Sequence, residues 1–83
     1  MIERIHRLLD AHGRLPFPAA SLADSQDLYA TGLRSFAAVQ LMLALEESFD
    51  VEFPEHMLNR RSFSSVKSIA ECLRTLTSEA MAS

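Results

Sequence analysis

Between Ser35 and Phe49 the chain runs fifteen residues without a glycine or proline, and Ala, Leu, Met and Glu supply most of them. These are strong helix formers, so the segment is expected to be one helix ending at Phe49 or Asp50. At about 100° per residue, with Ser35 at 0°, Ala38, Leu41, Met42, Leu45 and Phe49 fall near 240–340°. That is a sufficient core face for one helix of a bundle. A second apolar group, Phe36, Val39 and Leu43, falls near 40–100°, on the side of Ser35 and in the sector of Glu46, Glu47 and Asp50. Two arrangements accommodate it. Either the helix is buried all round, with the preceding loop folded over the stripe, or the stripe stays exposed as a surface that partners grip. The two differ in the exposure they require of Phe36 and Leu43.

The flanking sequence supplies the other helices. Ile2, Ile5, Leu8 and Leu9 recur at helical spacing up to about His12, and Gly13 is placed to stop that helix. Residues 14–34 hold Pro16, Pro18, Gly32 and several Ser and Asp, and read as a long loop. Leu15, Phe17, Leu22, Leu28, Tyr29 and Leu33 are its candidates for anchoring to the core. Pro54 suits the first turn of a short third helix over residues 54–59. Ser64 or Ser65 caps a last helix that carries Val66, Ile69, Leu73 and Leu76 on one face and ends near Thr77, leaving a frayed tail from about Ser78. Three longer helices, one short one and no competing strand pattern make this an all-α small four-helix bundle. Its 83 residues form a single domain.

So short a chain buries only a modest core, which disfavours a deep enclosed active site. The net charge of −3 argues against nucleic-acid binding, which must neutralise phosphates. Five acids and no Lys or Arg lie between Glu46 and Glu55, a local field suited to a basic docking patch or simply a solvated helix end. No apolar run approaches the roughly 18 residues that span a bilayer, and the first residues lack the layout of a secretion signal. Cys72 stands alone. Together these features point to a cytoplasmic monomer that engages no membrane. Ser35 has no catalytic apparatus: His6, His12 and His56 are scattered, with no local signature tying a base to it. Neither the histidines nor Cys72 and the acids show metal-ligand spacing.

The stretch from Asp27 to Pro54 resembles the acyl carrier protein family. In that family an Asp-Leu, three residues and then Gly-Leu-Asp-Ser-Leu precede the second helix. That helix ends in Leu-Glu-Glu-x-Phe before a short acidic connection to a Pro-started third helix. Here Asp27-Leu28, Gly32-Leu33, Ser35, Leu45-Glu46-Glu47, Phe49, Val51 and Phe53-Pro54 fit. Ser62-Phe63-Ser64-Ser65-Val66 with Ile69 resembles the lead-in to the family's last helix. The resemblance implies a carrier that is not itself an enzyme. It implies that a phosphopantetheinyl transferase attaches a 4'-phosphopantetheine arm from coenzyme A to Ser35, and that acyl or aminoacyl cargo rides on the arm as a thioester. It further implies a dedicated acyl or aminoacyl ligase and downstream transferases as partners. The position agrees with the chemistry, because the first turn of a helix offers unpaired N–H groups and the positive end of a dipole to a phosphate.

Two departures narrow this expectation. Arg34 stands where fatty-acid carriers have Asp, and is either a contact for the arm's phosphate or a solvated arginine. Ala37, Ala38 and Gln40 stand where those carriers place early acids. The chain therefore looks like a specialised stand-alone carrier, similar to those loaded with amino acids by synthetase-like ligases. In this reading Phe36, Val39 and Leu43 form the partner contact, and Glu46, Glu47 and Asp50 steer. The alternative is an unmodified helical adaptor that keeps the carrier fold and uses only the apolar stripe.

Overall fold

In the computed structural model the backbone is described over residues 1–82 and side chains over residues 1–78. Four α-helices form the fold: α1 (Ile2–His12), α2 (Leu28–Thr31), α3 (Ser35–Phe49) and α4 (Val66–Ala82), with 3-10 turns at Ala19–Ser21 and Glu55–Met57. No strand occurs among the described residues. α1 packs against α3, α4 and the Ala19–Ser21 turn. Ile5 and Leu9 of α1, Leu41 and Leu45 of α3, and Val66, Ile69 and Leu73 of α4 are fully buried in the shared core. No described helix is long and apolar enough to cross a membrane.

The two helices with the clearest periodicity lie where the sequence put them. Three expectations are corrected. Residues 54–59 are not a helix with Pro54 in its first turn. Pro54 is extended (φ −69°, ψ 160°) and precedes a single 3-10 turn. Asn59 ends that turn by donating to the His56 carbonyl at 2.8 Å and accepting from the Ser62 N–H at 2.9 Å, a local alternative to continuing a helix. The short α-helix is instead α2, inside the expected loop. Finally, α4 does not stop near Thr77 but runs to Ala82. Residues 78–82 hold no glycine or proline, and the Thr77 hydroxyl satisfies itself on the Leu73 carbonyl at 2.8 Å. The expected fraying of the tail falls largely on residues 79–83, whose side chains lie outside the described ones.

The loop before α3 is fixed by specific hydrogen bonds. Ala19 N–H donates to the Asp10 carboxylate at 2.7 Å, Lys67 N–H to the Asp24 carbonyl at 2.9 Å, and Leu28 N–H to the Ser64 carbonyl at 2.7 Å. Asp27 caps α2, its carboxylate accepting from Tyr29 N–H (3.0 Å) and Ala30 N–H (3.4 Å). Gly32 then turns the chain with φ 131°, and Leu33 N–H returns to the Leu28 carbonyl at 2.9 Å. This 6→1 bond with a positive-φ residue before it closes a helix in the Schellman manner. Leu28 and Leu33 are both buried, whereas Phe17, expected as an anchor, is 56% exposed. Gly13 follows α1 in right-handed helical geometry, and the left-handed residue is Arg14 (φ 54°). At the other end, Ser65 caps α4 through its hydroxyl, which accepts from Ser68 N–H at 3.1 Å.

Candidate attachment site at Ser35

The Gly32-Leu33 turn delivers an extended Arg34 (φ −98°, ψ 158°) as the capping residue of α3, so Ser35 is the first helical residue rather than the cap. Its hydroxyl is exposed and bonds to no described residue. The first backbone bond of the helix is Ala38 N–H to the Arg34 carbonyl at 2.8 Å. The N–H groups of Ser35, Phe36 and Ala37 therefore have no intrahelical partner. α3 also has no acidic residue in its first turn and no capping side chain. An accessible oxygen nucleophile thus sits beside three free donors and the positive end of a fifteen-residue helix.

On one side of Ser35 a cleft of about 280 Å³ opens between α3 and the 58–63 segment. Ala38, Val39, Met42, Leu58 and Phe63 make it apolar, and Tyr29, Asn59 and Arg60 supply its polar edge. The Arg60 guanidinium lies 4.1 Å from the centroid of the Tyr29 ring. Burial raises the Tyr29 phenol above its ordinary value, with Arg60 opposing the rise and Asp27 adding to it. Phe63 is braced from behind by Phe53, edge to face at 5.3 Å. No histidine or carboxylate among the described residues lines this cleft. Among the described residues no group of three His, Cys, Asp or Glu side chains is placed to hold a metal ion.

The two arrangements for the apolar stripe are now distinguished. Phe36 is 67% exposed, Val39 52% and Leu43 55%, while Leu41 and Leu45 on the opposite face are at 0%. The stripe is uncovered, and Leu58, at 49%, extends it across the cleft. Sequence reasoning missed Leu58, although the apolar pair Met57-Leu58 in the otherwise polar run from Glu55 to Ser62 was a signal. Of the three acids read as steering groups, Glu47 and Asp50 are exposed. Glu46 is engaged within the fold. Its half-buried carboxylate accepts the Phe53 N–H at 2.8 Å, closing the turn after α3. Asp50 ends α3 in the left-handed region (φ 52°). Arg34, exposed, does not line the cleft. It borders a second hollow of about 300 Å³, together with Gly13, Arg14, Gly32, Phe36 and Ala37.

The family model described as "Phosphopantetheine attachment site" matches residues 10–73. The chain belongs to that family. An aminoacyl carrier protein of Agrobacterium fabrum (strain C58 / ATCC 33970) is 51% identical over 72 residues, 87% of this chain and 87% of the relative. Among solved structures, one similar chain comes from an engineered Bradyrhizobium japonicum glycine:[carrier protein] ligase complexed with carrier protein from Agrobacterium tumefaciens and AMP. It matches with a TM-score of 0.87 at 51% identity, covering 89% of this chain and 99% of that one. A solution structure from Agrobacterium tumefaciens matches over 100% of both chains, with a TM-score of 0.76 and 47% identity.

The prosthetic group of such a carrier is 4'-phosphopantetheine, and the residues at the start of α3 fit it. A phosphodiester needs a free hydroxyl, donors for its oxygens and no carboxylate close by; Ser35 and the first turn of α3 meet all three. The slender amide chain that follows needs a narrow trough, and the cleft starts at Ser35 itself.

Proposed function

We propose that Ser35 is the residue carrying the 4'-phosphopantetheine arm, and that the carrier presents an aminoacyl group loaded by a dedicated ligase. The observation that carries the first part is the Ser35 hydroxyl: exposed, unbonded, at the first position of α3 and inside the matched span. The second part leans on the aminoacyl carrier relative and on the carrier chain complexed with a glycine:[carrier protein] ligase, both near half identity. It also fits the absence of early acids on α3, which sets this surface apart from fatty-acid carriers.

In this function the chain performs no catalysis and works in the cytoplasm as a monomer. Its first-turn N–H groups orient the phosphate on Ser35. Phe36, Val39 and Leu43 give partners an apolar footing, and Glu47 and Asp50 attract basic surfaces at the far end of the same face. The arm contributes a thiol that holds cargo as a thioester. Partners are a phosphopantetheinyl transferase, the ligase and the transferases that accept the cargo.

Incubation with a broad phosphopantetheinyl transferase and coenzyme A is expected to add one phosphopantetheinyl mass to the wild-type protein and none to Ser35→Ala. Addition to Ser35→Ala would place the site elsewhere. Failure of several transferases to modify the wild type, with partner binding intact in Ser35→Ala, would favour an unmodified adaptor.

A further inference from the structure

Beside Ser35, and sharing no lining residue with the cleft, the hollow of about 300 Å³ is walled by Gly13, Arg14, Gly32, Arg34, Phe36 and Ala37. Two of these residues are cationic and none is acidic. Arg14 and Arg34 are both exposed, and among the described residues neither forms an ion pair. Arg14 holds its place at φ 54°, in the left-handed region where glycine or asparagine is the ordinary occupant. The preceding Gly13 leaves no room for a side chain, since a Cβ there would lie 2.7 Å from Leu9. The left-handed residue is thus an arginine, and it gives the hollow its second guanidinium. Phe36, 67% exposed, supplies an apolar lip.

We propose that the enzyme that modifies Ser35 docks an acidic segment in this hollow, and that the modification itself weakens the hold. The inference rests on Ser35 being the attachment site. The occupant follows from charge. Two unpaired guanidiniums beside an exposed ring fit a carboxylate with an apolar neighbour, since a guanidinium meets a carboxylate through two parallel bonds. A basic surface at this end is repelled. Glu47 and Asp50 lie towards the other end of α3, roughly 20 Å away at 1.5 Å per residue. That is more than two screening lengths in physiological salt, so the basic and acidic poles act separately and fix the direction in which a partner lies along the helix. In the transfer Ser35 Oγ loses its proton and bonds the pantetheine-side phosphorus of coenzyme A, the pyrophosphate linkage breaks, and adenosine 3',5'-bisphosphate leaves. Position 35 thereby gains one negative charge. Arg34 and Phe36 flank it in the chain, with neighbouring Cα atoms about 3.8 Å apart. The new charge therefore bears on the hollow within the roughly 8 Å screening length and offsets one guanidinium. The hollow favours the unmodified protein, the form a modifying enzyme must find. A ligase meets the protein with the phosphate already in place.

The test takes a transferase that modifies the wild type and measures its binding by calorimetry without coenzyme A. Arg34→Gln should weaken binding to the unmodified protein about two- to fivefold, the range that an exposed ion pair gives. Arg14→Gly, which suits the left-handed turn, should do the same. Both losses should shrink at high salt, and Ser35→Ala should bind as the wild type does. The modified wild type should bind about two- to fivefold more weakly than the unmodified, and that gap should narrow in the Arg14→Gly/Arg34→Gln protein. An undiminished gap in the double variant would be steric and would overturn the inference, as would unchanged binding in both single variants. Weakened ligase binding with transferase binding intact would make the ligase the occupant and overturn it equally. Failure of several transferases to modify the wild type would sink the Ser35 assignment and this inference together.

Discussion

Gly32→Ala tests whether the turn that delivers Ser35 depends on glycine for its backbone angle. Gly32 sits at φ 131°, ψ 5°, a region that side chains rarely adopt. An added Cβ would also meet Pro16 Cδ at 3.3 Å, tight but against a ring that can shift a little. Holding a non-glycine residue there costs about 1–3 kcal/mol. The loss of freedom in the unfolded chain returns about 0.4–1 kcal/mol. The expected net loss is about 1–2 kcal/mol, a Tm drop of about 5–15 °C in a domain of this size. Urea denaturation monitored by circular dichroism reads it directly, and the m-value should be unchanged if only the native turn is strained. Pro16→Ala in the same background separates the terms: backbone strain leaves most of the loss in place, whereas a clash would be relieved. A Gly32→Ala protein as stable as the wild type, within about 0.3 kcal/mol, would refute the reasoning, since Leu33 N–H to Leu28 and the seating of Ser35 would then not require glycine's freedom.

Two further outcomes follow from opposite faces of the same structure. Leu45→Ala, at 0% exposure, should lose about 2–5 kcal/mol in urea denaturation, while Leu43→Ala, two residues earlier and 55% exposed, should stay within about 0.5 kcal/mol yet weaken ligase binding in a titration. Equal stability losses would mean the stripe is covered. Because burial raises the Tyr29 phenol above its ordinary value of 10.0, the stability it supports is complete below that value and is lost as pH climbs through the higher folded one. Arg60→Met removes the opposing charge while keeping the ring covered, so a spectrophotometric titration of Tyr29 should move further upward, and an unchanged titration would show that the guanidinium does not act on the phenol.

What the sequence made legible follows the length of each signal. α1 and α3 carry periodicity over 11 and 15 residues, and both run between the expected residues. α2 has four residues, too few for a period, so only its cap at Asp27 was there to be read. Residues 54–59 carried a proline suited to a helix start, but Asn59 supplied a competing set of local bonds that periodicity does not register. Angular position along α3 was readable while coverage was not: the helical wheel placed Phe36 and Leu43 on one side, and whether the 14–34 loop lay over them depended on tethers such as Asp10 to Ala19 and Asp24 to Lys67. The pairing of Arg60 with Tyr29 joins residues far apart in the chain and left no local trace. Ser35 itself was legible only through its neighbours.

The start of α3 differs from the starts of α2 and α4, and it also lacks the first-turn acid, Glu3, that the uncapped α1 carries. Asp27 caps α2 and Ser65 caps α4, each satisfying free N–H groups with a side-chain oxygen. α3, the longest helix with all its side chains described, has an arginine at the capping position, no acid in its first turn and no side-chain acceptor. Arg14 and Arg34 border one side of that terminus and Arg60 the other. Cations at a helix N-terminus oppose the dipole by about 0.3–1 kcal/mol each, and a missing cap forgoes about 1 kcal/mol more. A helix selected only for stability would carry Asp or Ser at position 34. The penalty makes sense if the missing acceptor arrives later: a phosphodiester at position 35 supplies two oxygens to the free N–H groups and a negative charge to the surrounding arginines. The charge reversal at Arg34, a departure from fatty-acid carriers, then belongs to the same design as the uncapped turn. On the proposed attachment at Ser35, both leave α3 to be completed by the phosphodiester.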